Sequence, residues 1–473
     1  MDRTELINNM WNADTAHYYG FLKIKGNERY NLAKYFLHTH TDYGSPKDSI
    51  LTVKKYVSTA CEMGARAIAV SDHGTMYAVQ PLYNECKEKG LKLIVGVEFY
   101  VCDTVEDKNR KKHTRLHLCG YAKNKEGYLA LSRLITESNE RMIVIHTQDG
   151  DLTYPCISKK LLETYIGPDS KGHGNVILTS ACVGGVLSGI SFANETLRMN
   201  IEDLENKISI HKDAVNKFIF AENALQRAEA EKLHLAEITG KNYTKRINAL
   251  KRNPDPEEEK RIAMEKEESQ QAAARIKELA GVIKQAKTMK TESQKILDAA
   301  SKVKYCELKY FQKFIENEER EVKKLNEELV PEEHLMESFE REAVWYDNLA
   351  GHGNWYIELQ YHKIPIEKKL MPYLVKVARK YNIPLVAAND AHMATRDDAI
   401  IRKYINSLRF NKWEALETGD DEMYLKDDVS LFHSLISCVD EEAAWEAMEN
   451  REKIVEACNL ELKKENNYPK YVA

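Results

Sequence analysis

The chain has no C-x-x-C pair among its nine cysteines, no apolar run near membrane-spanning length and no basic surplus. Each absence excludes something. An odd, scattered set of cysteines argues for reduced thiols and a cytoplasmic setting, against a disulfide framework. A membrane span needs about 18 or more consecutive apolar residues, and no stretch approaches that. The opening MDRTELINNMWNADTAHYYG carries early acids and no apolar h-region, so it does not read as a secretory signal. The formal net charge is −5, so a nucleic-acid partner has to be met by a local patch or a metal, not by a global field. Glycine almost disappears between Asn194 and Leu329, where only Gly240 and Gly281 occur.

What is present divides the chain. With 473 residues, 43% of them hydrophobic, there is length for two to four domains and ample material for a core. From Tyr35 to about 193, short apolar runs (YFLHTH, AIAVSDHG, LKLIVGVEFY, LHLCGYA, NVILTSACVGG) alternate with helical periods that end in glycine, a βαβ texture predicting a mostly parallel sheet. From 194 to 330, Glu, Lys, Ala, Gln and Leu dominate, with apolar residues on 3-4 spacing. The one sharp break there is KRNPDPEEEK, where Pro254 and Pro256 forbid a continuous helix. Two long helices folded back as a coiled-coil hairpin are expected, their charges forming a solvated face. From 331 to 473 the βα texture returns in NWYIELQYH, IEKKLMPYLVKVARKYN and IPLVAANDAHM. The flanking portions read as one domain interrupted by the hairpin, after an N-terminal extension over 1–34.

Polar donors gather at the ends of the expected strands. His38 and His40 end the first as H-x-H, and residues i and i+2 of a strand share a face. Asp72 and His73 end AIAVSDHG, Glu98 ends the next strand, His117 sits in RLHLCG, and Cys182 ends VILTSAC. Asp390 and His392 repeat the same geometry as D-x-H. Any one of these has a plain structural explanation, such as a helix cap or a buried thiol. Their recurrence at successive strand ends points instead to a transition-metal site at a barrel mouth, built from imidazole, carboxylate and thiolate.

The stretches FLHTHTDYGSPKDS, AIAVSDHGTM, KLIVGVEFYV, HLCGYAKNKEGYLALSRLI, LTSACVGG, YIELQYH and PLVAANDAHMATRDDA resemble the PHP (polymerase and histidinol phosphatase) domain of C-family bacterial DNA polymerases. The resemblance implies a distorted (β/α)7 barrel, here interrupted by the helical hairpin, that holds two or three divalent ions of zinc, manganese or iron. It implies His38, His40, Asp48, His73, Glu98, His117, Cys182, Asp390 and His392 as metal ligands, with Asp42 an alternative to Asp48. Asp72, His73, Asp390 and His392 would be the catalytic core, Asp72 orienting its neighbour. It further implies phosphoester hydrolysis as a 3′–5′ exonuclease on DNA 3′ ends. Lys108, Arg110, Lys111, Lys112 and Arg115 would lie near those phosphates, or else form an ordinary solvated hairpin tip. NNYPKYVA resembles the linker leaving the domain, so polymerisation by this chain alone is not expected. Two further readings stand beside the nuclease. One is a non-catalytic scaffold, stapled by metal, whose coiled coil recruits a polymerase core or another replication protein. The other is a small-molecule phosphatase of the histidinol phosphatase type.

Overall fold

Ala67–Val70, four apolar residues in succession, is buried on both faces, as an interior strand of a covered sheet must be. Strands of this kind organise the first part of the computed structural model, which describes residues 34–46, 48–102, 115–147, 150–303, 307–410 and 420–462. The N-terminal extension up to residue 33, Lys108, Arg110, Lys111, Lys112 and the NNYPKYVA tail lie outside the described residues. In chain order the elements are β1 (Tyr35–Phe36), α1 (Val53–Glu62), β2 (Ala67–Val70), α2 (Val79–Lys89), β3 (Lys92–Val101), β4 (Leu116–Ala122) and α3 (Lys125–Glu140). A small hairpin, β5 (Ile143–Thr147) and β6 (Gly150–Tyr154), precedes β7 (Cys156–Ile157), α4 (Lys159–Ile166) and β8 (Val176–Thr179). Helix starts carry side-chain caps: Thr52, Asn124 and Ser158 each accept from a backbone N–H of the first turn.

Four helices follow: α5 (Gly189–Thr239), α6 (Thr244–Leu250), α7 (Pro256–Ser301) and α8 (Leu308–Glu328). The chain then returns through α9 (Glu332–Ala350), β9 (Trp355–Leu359), α10 (Pro365–Tyr381), β10 (Leu385–Ala387), α11 (Ala399–Phe410), α12 (Asp428–Ile436) and α13 (Glu441–Ala457). By contact the chain forms two units, one of described residues up to Glu195 and from Val330 onward, the other Thr196–Leu329. In the first unit, the chain's exit and re-entry are clamped together by one side chain. Asn194 Nδ2 donates to Val330 O at 3.1 Å, and Val330 N donates to Asn194 Oδ1 at 2.8 Å.

The main sheet runs β1-β2-β3-β4-β8-β9-β10, with β7 added alongside β3. It curls until segments beyond its two edge strands meet in a parallel bridge between Thr39 and Ala391, where His40 N donates to Ala391 O at 2.9 Å and Ala391 N to His38 O at 3.1 Å. One strand departs from the parallel expectation: β4 is antiparallel to both β3 and β8. Strands β3 and β4 pair directly as neighbours in sequence, and that pairing needs no helical crossover. The reversal matters below, because it presents the start of β4, not its end, at the site.

Inward-facing residues change character along the strands. Ile94, Cys119, Tyr121, Ile177, Tyr356 and Val386 form one apolar cluster, joined by Ile454 and Val455 of α13 and by Cys458 just past its end. Two residues per step further along the same faces lie Glu98 on β3, His117 on β4, Thr179 on β8 and Glu358 on β9, a polar layer above that cluster.

The second unit contains the two expected long helices, α5 and α7, and adds two shorter ones. Besides the break that Pro254 and Pro256 impose, the chain breaks after Gly240 and again at Lys302, which sits in the left-handed region (φ 57°). The unit's apolar cluster takes residues from three helices: Ile208, Ala214 and Val215 of α5, Leu297 of α7, and Phe311 and Ile315 of α8. The proline break itself is a well-built helix start, with Asp255 accepting from Glu257 N and Glu258 N and Pro256 opening α7.

Candidate metal centre

His38 and His40 lie just past β1 on the segment that bridges to Ala391, while Thr39 between them faces the other way. Thr39 N donates to Ser71 Oγ at 3.0 Å. Both imidazoles are buried, and each has its Nδ1 committed outside the pocket. His38 Nδ1 meets Glu358 Oε1 at 2.7 Å, and His40 Nδ1 meets Ser45 Oγ at 3.2 Å. His392 Nδ1 lies 2.8 Å from Asp390 O, a carbonyl that can only accept, so the proton is on Nδ1. The glutamate at His38 and the serine at His40 favour the same tautomer, since Ser45 already donates its own hydrogen to Asp72 Oδ1 at 2.8 Å. All three Nε2 lone pairs then face inward.

Those lone pairs have no proton to share. His38 Nε2 and His40 Nε2 stand 3.2 Å apart, and Asp390 Oδ1 is 3.3 Å from the first and 3.1 Å from the second. Glu98 occupies the centre: Oε1 is 3.4 Å from His38 Nε2 and 3.0 Å from His117 Nδ1, and Oε2 is 3.4 Å from His40 Nε2 and 2.7 Å from His73 Nδ1. Asp48 Oδ2 lies 2.9 Å from His73 Nε2 and 3.8 Å from His392 Nε2. Although these atoms are close, Glu98 Oε1 and Oε2, Asp390 Oδ1 and His73 Nδ1 are buried without a hydrogen bond. Ligand atoms about 2.0 Å from one tetrahedral ion stand about 3.3 Å from each other. The observed spacings match donors aimed at shared cations better than donors aimed at one another.

Electrostatics set the two rings apart. Burial, with His73 and His392 beside it, drives the pKa of His40 down to about 3, so its ring stays neutral. Burial works against the charge of His38, but Cys119, Glu358, Asp390 and Glu98 lift its pKa well above the usual histidine value. Glu98 is buried too, yet His117, His73 and His38 hold it ionised, and His38 and His392 do the same for Asp390. Cys182, raised by burial and by Asp390 and Glu98, keeps its thiol proton unless a cation displaces it. Ala181, next to Cys182, and the donor Asp390 itself adopt positive φ, at 57° and 44°. Such conformations are costly away from glycine and recur where a side chain must be aimed.

The structure thus brings together His38, His40, Asp48, His73, Glu98, His117, Asp390 and His392, with Cys182 Sγ at the edge, 3.4 Å from His117 Nδ1. His117 arrives because β4 is reversed. It sits one residue into that strand, yet at the same mouth as the far ends of the parallel strands. Asp48, not Asp42, reaches the histidines. Asp72, expected to orient its neighbour, stands outside the donor cluster. Its carboxylate is buried behind the site and accepts from Thr41 N at 2.7 Å, Thr41 Oγ1 at 2.8 Å and Ser45 Oγ at 2.8 Å. Burial raises its pKa to about 6. Asp72 thus reaches the site through Ser45, whose Oγ lies 3.2 Å from His40 Nδ1.

Sequence reasoning missed Glu358, which orients His38 and is held by Thr179 Oγ1 and Gln360 Nε2. A signal existed. In WYIELQYH, Glu358 on the otherwise apolar β9, and Gln360 and His362 just past its end, put buried polar groups at alternate positions. Cys119, with Sγ 3.6 Å from both nitrogens of His38, was also missed. Arg115 stacks its guanidinium 3.8 Å over the Tyr154 ring.

A curled α/β sheet with a His/Asp/Glu cluster able to hold metal at its mouth defines the class. Residues 37–223 match the family model for the PHP domain. Among individual proteins, the chain is similar to the DNA polymerase III subunit alpha of Campylobacter jejuni, 38% identical over 149 residues, which is 32% of this chain and 11% of that protein. The Chlamydia trachomatis subunit is 31% identical over 206 residues, 43% and 15% of the respective chains, and the Borreliella burgdorferi subunit 33% over 196 residues, 40% and 15%. The match thus spans well under a fifth of the length of these relatives. A solved structure from Bifidobacterium adolescentis overlays on 86% of this chain and 97% of its own, at 13% identity and a TM-score of 0.26, too loosely to bear on the assignment.

Proposed function

We propose that the chain is a metal-dependent phosphoester hydrolase and, more specifically, a 3′–5′ exonuclease acting on DNA 3′ ends. The observation that carries the hydrolase reading is the pair of inward Nε2 lone pairs of His38 and His40 at 3.2 Å, with the orphaned oxygens of Asp390 and Glu98 around them. The similarity to replicative polymerase subunits supports DNA as the substrate class.

His38, His40, Asp48, His73, Glu98, His117, Cys182, Asp390 and His392 would hold two or three divalent ions. Bound there, such ions supply Lewis-acid stabilisation of phosphate charge and an activated water nucleophile. The chain's own residues do the rest. Glu98 spans two sets of imidazoles, one oxygen toward His38 and His117 and the other toward His40 and His73, which fixes the separation of the donor sets. Glu358 and Ser45 hold the protons of His38 and His40 on Nδ1. Tyr100 stacks on His73 at 5.4 Å between ring centroids and keeps that imidazole from turning.

The test is elemental analysis of the purified protein, coupled to nucleotide release from a 3′-labelled primer with added Mn²⁺ or Zn²⁺. The reading requires metal in the protein as isolated or after loading, and release that His40→Ala abolishes. Equal release by wild type and His40→Ala refutes it.

A further inference from the structure

We propose that the outer face of α7 is a binding rail for the sugar–phosphate backbone of a nucleic acid. The proposal is independent of the metal centre and concerns the second unit alone. On α7, the buried positions Ala272, Leu279, Ala286 and Ser293 recur every seven residues, so one stripe of the helix faces its own unit. On the opposite side Lys277, Lys284 and Lys295 are exposed, with Gly281, Thr288 and Thr291 between them. At 3.6 residues per turn, Lys277 and Lys295 are five turns apart and return to one line, about 27 Å long, with Lys284 about 10 Å from the first.

The cations of this unit sort by position. Those that face neighbouring helices are paired: Arg275 with Glu231 and Glu278, Lys290 with Glu222, Arg246 with Glu258 and Glu265, and Lys212 with Glu319. Among the described residues, Lys277, Lys284 and Lys295 have no carboxylate within ion-pair distance, and Lys287 beside them has only Glu229 at 3.6 Å. A shallow open groove runs along the face between Lys284 and Lys295, lined also by Lys287, Thr288 and Thr291, with Glu292 its one acid.

The chemistry selects the occupant. A row of unpaired ammonium groups gains most from a partner whose negative charges also come in a row, because each contact releases a condensed counterion. Thr288 and Thr291 already donate their hydroxyl hydrogens to Lys284 O and Lys287 O, so the phosphate contacts rest on the lysines, and Gly281, with nothing within 4 Å of where a Cβ would stand, lets a strand approach the helix closely. An anionic membrane would need an apolar helix face free to insert, whereas the apolar stripe of α7 is turned inward.

The experiment compares fluorescence anisotropy of labelled single-stranded and duplex oligonucleotides on the full chain. The rail variant K277E/K284E/K295E is set against K232E/K313E/K323E, which carries the same charge change on exposed lysines elsewhere in the unit. The rail variant should bind roughly 100-fold more weakly at about 0.1 M salt, its log K against log salt should lose a slope of about 2 to 3, and the control should stay within about threefold of wild type. The oligonucleotide bound more tightly by wild type identifies single strand or duplex as the source of the phosphates. Circular dichroism checks folding, and a K277Q/K284Q/K295Q variant, expected to lose roughly tenfold, serves if the charge reversals unfold the unit. Equal loss in rail and control variants, no loss in the rail variant, or no wild-type binding below about 100 μM overturns the proposal. So does preferential wild-type binding to vesicles containing phosphatidylserine.

Discussion

His38 Nε2 and His40 Nε2 face each other across 3.2 Å, while the Nδ1 atom of each ring is held from outside the pocket by Glu358 and Ser45. With neither a proton nor a cation between them, the two Nε2 lone pairs repel, and the ionised oxygens of Asp390 and Glu98 beside them are buried without hydrogen bonds. The arrangement is stable only with positive charge among the donors, whether protons or metal.

Removing metal should therefore cost stability as well as activity. A ligand present at 100 times its Kd adds about 2.7 kcal/mol to the folded state. Thermal denaturation before and after chelation, with metal content followed in parallel, should show a clear drop in Tm. An unchanged Tm after complete metal loss would contradict the site.

Glu358→Gln tests the positioning of His38. The amide keeps the size of the side chain but loses the charge that meets His38 Nδ1 at 2.7 Å. Such outer partners of a ligating histidine are worth about 10- to 100-fold in metal affinity. Competition with a chromophoric chelator should show a loss in that range while the circular dichroism spectrum holds. Wild-type affinity would mean that Glu358 is only core packing.

Gly44→Ala should damage the loop that carries Ser45. A Cβ at this position would lie 2.3 Å from Asp72 Oδ2 and 2.5 Å from its Cγ, so the buried carboxylate or the loop must move. Overpacking of this kind costs about 1–3 kcal/mol. Urea titration measures the loss, and metal affinity should fall with it because Ser45 orients His40. A variant as stable as wild type would show that the loop yields freely.

Lys426 gives the pH dependence. It is buried, and although Glu422 Oε2 lies 3.0 Å away, burial holds its pKa down to about 7. An unfolded lysine keeps its proton up to about pH 10.4. Between those values unfolding takes up a proton, so stability rises with pH, and it is lost as pH falls toward 7. Lys426→Met lacks this dependence. From about pH 9.5 to 7, its stability relative to wild type should shift in its favour by up to about 3 kcal/mol. Parallel denaturation curves at both pH values check it, and a constant difference would show that the ammonium stays charged throughout.

Much of the barrel was legible because its signals are local. AIAV and VILT are short apolar runs, and H-x-H and D-x-H exploit the two-residue period of an extended chain. Other features leave no local trace. The reversal of β4 depends on which neighbour it pairs with, and LHLCGYA reads the same in either direction. The choice of Asp48 over Asp42 depends on how the loop after His40 folds back over His73. The break at Lys302 and the return of α8 rest on packing among Leu297, Phe311 and Ile315, which 3-4 spacing alone cannot assign to a partner.

Which side chains can bind a cation, and that they stand at strand termini, is readable from the residue order, since donor chemistry and periodicity are properties of a few adjacent residues. Long-range packing places Glu98 between the two imidazole sets, Asp72 against Ser45 and Glu358 against His38. Those relations join residues as far apart as His38 and Glu358, 320 positions along the chain, and become contacts only when the sheet curls and its edges meet at Thr39 and Ala391.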